Sequence, residues 1–420
     1  MTAAMRYSIF QLARQALTGH ENWPRVWREP DPRPAYDVII IGGGGHGLAT
    51  AFYLAREHGI TNVAVLEKSY IGSGNIGRNT TIIRSNYGLP PNTRFYEKSL
   101  QLYEQLESET NFNSMISQRG VLNLFHSDGQ RDAFARRGNT MRLCGVDAEL
   151  LGPAEVKRLV PILDFDNARF PIKGGLFQPR GGTGRHDAVA WGFARGADQC
   201  GVDIIQNCEV TGILIEGGRT VGVQTSRGRI DARKIGIAVA GHTSQLAQMA
   251  GIELPVESHV LQAYVSEGVK PLIDTVVTFG AGHFYISQSD KGGLVYGGDL
   301  DGYNSFAQRG NLPVMQDVMA GAMAIMPGVG RLRLLRQWGG IMDMTMDGSP
   351  FICRTPIDGL YLNGGWCYGG FKAAPGSGWC FAHTIARDEP HPLNAAFTIE
   401  RFRQGRMIDE KGVGPNPWIQ

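Results

Sequence analysis

The sequence predicts an α/β chain in which a dinucleotide-binding domain is interleaved with a second, sheet-based α+β unit. Three observations predict it. A buried strand, a glycine-rich turn and a helix follow one another from Asp37 to Gly59. An acidic residue, Glu67, ends the next apolar strand. Near the C-terminus a buried strand, GLYLNGG, a second glycine-rich turn and another helix return.

The elements follow in order. MTAAMRYSIFQLARQAL reads as a short amphipathic arm, and the polar, proline-rich REPDPRPAY as a connector. Asp37-Val-Ile-Ile-Ile is an apolar run ended by glycines, which suits a buried parallel strand. HGLATAFYLAREHG has helical spacing and a glycine cap, and NVAVLE reads as a second buried strand. This completes a β-α-β unit of about 30 residues. Residues 95–160 read as helical and polar, as in TRFYEKSLQLYEQLESET and PAEVKRLVPIL. The helix HDAVAWGFARGADQCG then precedes strands in VDIIQNCEVTGILIEGG, TVGVQTSRG and KIGIAVAG. From about 255 to 340 strands predominate, among them HVLQAYVSE, HFYISQS and GLVYGG, with a helix at MQDVMAGAMAIMP. At 420 residues the chain is too long for one ordinary core. The expected division is an arm over 1–34, a dinucleotide-binding domain from 35–95, 165–252 and 340–400, a substrate domain from 96–164 and 253–339, and a tail over 401–420.

Net charge is +2, which gives no electrostatic case for nucleic acid. No apolar run approaches the roughly 20 residues of a membrane span. With no signal-like N-terminus the expected location is the cytoplasm. The six cysteines form no CxxC pair, and no Cys/His set has metal-site spacing, so no metal is expected.

Four motifs carry chemistry. The first is Gly42-Gly-Gly44-Gly45-His46-Gly47, placed between strand and helix. Gly42 permits the tight turn, Gly44 lets backbone approach a pyrophosphate, and Gly47 allows close packing of helix on strand. The helix N-terminus then offers free N–H groups to phosphate. Glu67, 20 residues after Gly47, can accept the ribose hydroxyls of an adenosine. His46 reads as a loop residue touching phosphate or solvent. The second motif, Gly72 to Arg84, suits a loop that wraps a flat cofactor ring. Arg84 is either a clamp for a substrate carboxylate or a surface arginine. The third, Gly364 to Gly378, puts a glycine turn at a helix start beside Lys372, whose ammonium would hold a carboxylate or tune a flavin. The fourth, Arg180 to Asp187, opens a helix. Its His186 is either part of a helix cap or a nucleophile toward a cofactor.

At these motifs the chain resembles the glutathione-reductase-like FAD superfamily, its D-amino-acid oxidase and sarcosine oxidase group, and more narrowly the β subunits of heterotetrameric sarcosine oxidases. The resemblance runs over nearly the whole chain, through GRNTTIIRSNY, SQRGVLNLFH, RHDAVAWGFAR, QWGGIMD, GGFKAAPGSG and RFRQGRMIDE. It implies noncovalent FAD held by the glycine motif and Glu67; by Asn75, Arg78, Asn79, Thr80 and Ile82; and by Val210, Gly369, Gly370 and Lys372. It implies FMN covalently bound to His186 beside Arg185, and Arg84 and Lys372 as the carboxylate-holding, catalytic pair. It further implies oxidation of sarcosine (N-methylglycine), electron passage from FAD to FMN to oxygen giving peroxide, and transfer of the one-carbon unit to tetrahydrofolate or its release as formaldehyde. The implied partners are α, γ and δ subunits. The chain departs at Cys367 and Tyr368, where the family has glycine and threonine, so the expected substrate class widens to small N-methylated amino acids. Two other readings stand beside this one: a single-flavin dehydrogenase of another N-methylated or cyclic amino acid, and a non-catalytic nucleotide-binding subunit.

Overall fold

A computed structural model describes residues 8–21, 25–166, 169–279 and 284–410. Parts of the expected arm (1–7 and 22–24) and tail (411–420) lie outside the described residues.

The apolar run Ala35–Ile41 becomes the centre of an eight-stranded sheet. It pairs in parallel with Val63–Leu66 on one side and Gly228–Ile237 on the other. Asp203–Ile205 and Leu360–Gly364 extend the parallel array, and Phe351–Arg354 closes one edge antiparallel. Both faces are covered, which is why the strand reads as continuous rather than alternating hydrophobicity. Val38 and Ile40 pack under the helices Gly45–His58, Pro90–Thr110, His186–Gln199 and Gly370–Arg387. Ile39 and Ile41 face the hairpin strands Val210–Glu216 and Arg219–Thr225.

The second eight-stranded sheet runs Leu334–Thr345, Val256–Gly268, Gly293–Leu300, Phe284–Gln288, Val276–Phe279, Val121–Phe125, Gly174–Gln178, Glu149–Leu151. Two sequence expectations change here. The stretch 95–160, read as helical, contributes Val121–Phe125 and Glu149–Leu151. The segment 165–252, assigned to the dinucleotide domain, gives Gly174–Gln178 to this second sheet. All three strands are short, and helical patterns lie close by in the chain. Their pairing partners, not their own periodicity, make them strands.

The tail begins as an anchored segment. Arg401 is 2% exposed and makes a two-pronged ion pair with buried Asp347, at 2.8 and 2.9 Å. Burial pushes the Asp347 carboxyl up, but the Arg401 hydrogen bonds outweigh it and hold the group below its ordinary value. Its stabilisation is therefore present above the ordinary carboxyl range and is lost as pH falls through the lowered value. Arg401→Met leaves Asp347 buried and unpaired. It is expected to cost about 3–5 kcal/mol in denaturant unfolding, and a loss under about 1 kcal/mol would show that the pair does not hold this segment.

Candidate active site

The carboxyl ends of the first sheet open into a cavity of about 1730 Å³ whose far wall is the second sheet. The glycine loop forms its floor. Gly42 has φ +109°, and a Cβ there would lie 2.3 Å from the Ala238 carbonyl oxygen. A Cβ on Gly47 would lie 2.0 Å from the Gly42 oxygen. Gly44 differs: it lines the cavity, and a Cβ there would meet no protein atom within 4 Å. The loop is thus packed tightly behind and open in front, as approach of a phosphate requires. The helix Gly45–His58 has no side-chain cap, which leaves its first N–H groups for an anion. Glu67 faces the same end. Its Oε2 accepts from Gly43 N at 2.9 Å and its Oε1 from Ser69 N at 3.0 Å. These bonds fix the carboxylate and leave further lone pairs for hydroxyls. Val210 lines this end beside Cys208.

The loop after Glu67 is a wall braced on its own backbone. Asn75 clamps Ile341: Nδ2 donates to the Ile341 oxygen, and Oδ1 accepts from Ile341 N at 3.0 Å. Arg78 donates to the carbonyls of Ser73 and Gly74, and its own oxygen accepts from Trp338 Nε1 at 2.6 Å. Asn79 Oδ1 accepts from Thr81 N, and the Thr80 hydroxyl donates to Tyr285 Oη at 2.9 Å. Asn75, Arg78, Asn79, Thr80 and Ile82 all line the cavity.

Arg84 and Lys372, far apart in sequence, line the same cavity. Arg84 donates to Asn86, whose amide donates to Asn123, which in turn donates to Thr278. Its guanidinium lies 4.8 Å from the centre of the Tyr87 ring. Lys372 is 7% exposed, and its Nζ donates to the Tyr368 carbonyl at 2.6 Å. Burial, with the Arg84 charge added, drives the ammonium well below the usual lysine range. Neither cation has an ion-pair partner among the described residues. Gly370 lines the cavity; Gly369 lies behind it, where a Cβ would strike the Tyr96 hydroxyl. Cys367 is buried with φ +49°, and its Sγ accepts from Thr345 N, while Tyr368 forms part of the cavity wall.

His46 is the second residue of the helix Gly45–His58, half-buried and lining the cavity. Its Nδ1 lies 2.6 Å from Ser377 Oγ and its ring stacks on Trp366 at 4.6 Å. Burial lowers its pKa to about 4, so the imidazole is neutral. Trp366, Tyr285, Asp343 and Arg137 also line the cavity; none of them is singled out as a site residue by the sequence. Asp343, pushed up to about 6 by burial, holds the glycine turn through Gly365 N.

Arg185 and His186 lie outside this cavity. Arg185 pairs with Asp187 at 2.6 Å, and Asp187 accepts from Ala188 N. His186 caps nothing: its Nδ1 is buried with no hydrogen-bond partner among the described residues, and burial lowers its pKa.

The chain matches the family of FAD dependent oxidoreductases called DAO over residues 37–384. It is 68% identical to the sarcosine oxidase subunit beta of Rhizobium meliloti (strain 1021), covering 98% of this chain and 99% of that one. It is 53% identical to the sarcosine oxidase subunit beta of Arthrobacter sp, covering 92% and 96%. Among solved structures, the L-proline dehydrogenase of P. horikoshii superposes with a TM-score of 0.83 at 28% identity, covering 90% and 100%. With a glycine loop open toward the cavity and this breadth of similarity, the chain belongs to the DAO family of FAD-dependent oxidoreductases, in the group of the sarcosine oxidase β subunits.

Proposed function

We propose that the chain is the subunit of a sarcosine oxidase that binds and orients sarcosine against FAD. One observation carries the reading: Arg84 and Lys372, cations without an acidic partner among the described residues, converge on the cavity that the glycine loop opens into. A small anionic amino acid supplies the missing charge. Gly44, the start of Gly45–His58 and Glu67 would hold the pyrophosphate and ribose. The Asn75–Ile82 wall and Gly370 would hold the ring. FAD, when bound, would supply the two-electron oxidation of the N-methyl carbon, and His186 would hold an FMN able to pass electrons on to oxygen, giving peroxide. The cation pair positions that carbon and favours the free-amine form of the substrate. The product imine passes its one-carbon unit to tetrahydrofolate at a site on a partner subunit, or hydrolyses to formaldehyde. The complete enzyme holds α, γ and δ subunits. Cys367 and Tyr368 reshape the pocket wall, so related N-methylated amino acids are the substrates to compare. Anaerobic addition of sarcosine to the purified complex is expected to bleach the flavin; a spectrum that stays oxidised would overturn the reading.

The resemblance assigns covalent FMN to His186; in support, the imidazole is half-buried, burial lowers its pKa, and no described residue engages its Nδ1. A neutral imidazole is the nucleophilic form. Native complex precipitated with acid is expected to keep yellow flavin on this chain, with an intact mass raised by one FMN, and His186→Ala is expected to lose both. An unmodified chain purified with all its partners would favour a single-flavin enzyme.

A further inference from the structure

Arg137 sits on the polar helix Asp128–Leu143 and lines the same cavity as Arg84 and Lys372. Its Nε is buried without a hydrogen-bond partner, and the residue has no ion pair among the described residues. Its guanidinium rests 5.3 Å from the Phe134 ring centre. The nearby acid, Glu410, is engaged elsewhere: it accepts from the N–H groups of Gly88 and Leu89 and from Asn92 Nδ2. Burial is the main cause lowering the Arg137 pKa, and the positive charge of Arg84 adds to it, against Glu410. A half-buried guanidinium whose Nε is left without a partner beside a like charge is costly, and native structures satisfy such groups. An anion bound in the cavity that Arg137 lines can satisfy it.

We propose that Arg137 is a specificity-determining residue that binds the substrate carboxylate together with the Arg84–Lys372 pair, so that the site selects anionic over neutral amines. This rests on the sarcosine reading of that pair. It predicts that Arg137 governs binding of the anion and leaves the oxidation step nearly unchanged.

The test uses the FAD-containing complex with Arg137→Met and Arg137→Lys. The dissociation constant of propionate, an anion that cannot be oxidised here, is read from the flavin absorbance change. KM and kcat for sarcosine are read from stopped-flow reduction and turnover. Arg137→Met is expected to weaken propionate and raise KM by about tenfold or more, with kcat changed less than about threefold. Arg137→Lys, which keeps the charge, is expected to recover most of the loss. The melting temperature without propionate is expected to hold or rise in the methionine variant, because a half-buried charge with an unpartnered Nε has gone. Propionate binding and KM both within twofold of the parent would overturn the proposal. So would a lowered melting temperature with kcat and KM falling together, which marks a packing role. If the methionine variant does not fold, Arg137→Gln carries the same readings. If sarcosine fails to bleach the parent flavin, the sarcosine reading falls, while the propionate titration still decides Arg137.

Discussion

Lys372→Met is expected to lower kcat/KM for sarcosine by about 10²–10³-fold while the ligand-free protein becomes more stable. The two effects have one cause. Lys372 is buried, meets Arg84 as a like charge, and among the described residues has only the Tyr368 carbonyl as a hydrogen-bond acceptor. Without substrate, its charge is a cost to the fold. With substrate, the carboxylate offsets that cost, and removing one partner of a buried pair typically loses about 3–5 kcal/mol. The pH dependence follows from the direction of the shift. Below the folded-state pKa the lysine is charged in both folded and unfolded chains, and the full cost applies. Between that value and the ordinary 10.5, the unfolded chain holds the extra proton, so parent stability rises with pH. The variant lacks this rise. Melting curves across alkaline pH, with stopped-flow reduction by sarcosine, check both halves. A variant that keeps kcat/KM within about threefold would remove Lys372 from substrate binding.

The first half of the site was legible because it is local. Gly42, Gly44, Gly47 and Glu67 fall within one β-α-β unit, where chain spacing and three-dimensional spacing coincide. Arg84 and Lys372 were legible as candidates, but their convergence was not. It depends on the helix Gly370–Arg387 packing beside the strand Ile82–Ile83, 288 residues separating Lys372 from Arg84, and nothing in either segment encodes that contact. His46 shows the limit in miniature. In sequence it is a polar residue in a glycine loop; burial keeps it neutral, and the neighbours it meets there, Ser377 at its Nδ1 and Trp366 stacked on its ring, are supplied by the distant segment. Arg137 was masked for the opposite reason. It sits next to Arg136 on a helix rich in charge, and a solvated face is the ordinary meaning of that pattern. Only the fold distinguishes exposed Arg136 from Arg137, which faces the cavity. The same holds for Val121–Phe125, whose five residues declare a strand only beside Val276–Phe279 and Gly174–Gln178.

The glycine loop admits a substitution that separates folding from cofactor binding. Gly44 is the N-cap of Gly45–His58, with φ −80° and ψ −178°, a backbone that any residue adopts. Serine is a better N-cap than glycine because its oxygen accepts one of the free N–H groups. A Cβ at this position meets no protein atom within 4 Å. Gly44→Ser is therefore expected to leave the FAD-free fold as stable as the parent or slightly more so. Its added atoms, however, occupy the space through which the pyrophosphate would approach, and the new hydroxyl competes for the same N–H groups. Crowding of this kind costs about 1–3 kcal/mol, or roughly 5- to 150-fold in FAD affinity. Gly47→Ser makes the contrast, since its Cβ would lie 2.0 Å from the Gly42 oxygen and must disturb the fold itself. Melting temperature without flavin and FAD titration with it, measured on both variants, give the two axes. If Gly44→Ser binds FAD as tightly as the parent, no phosphate passes in front of Gly44, and the cofactor enters the cavity by another wall.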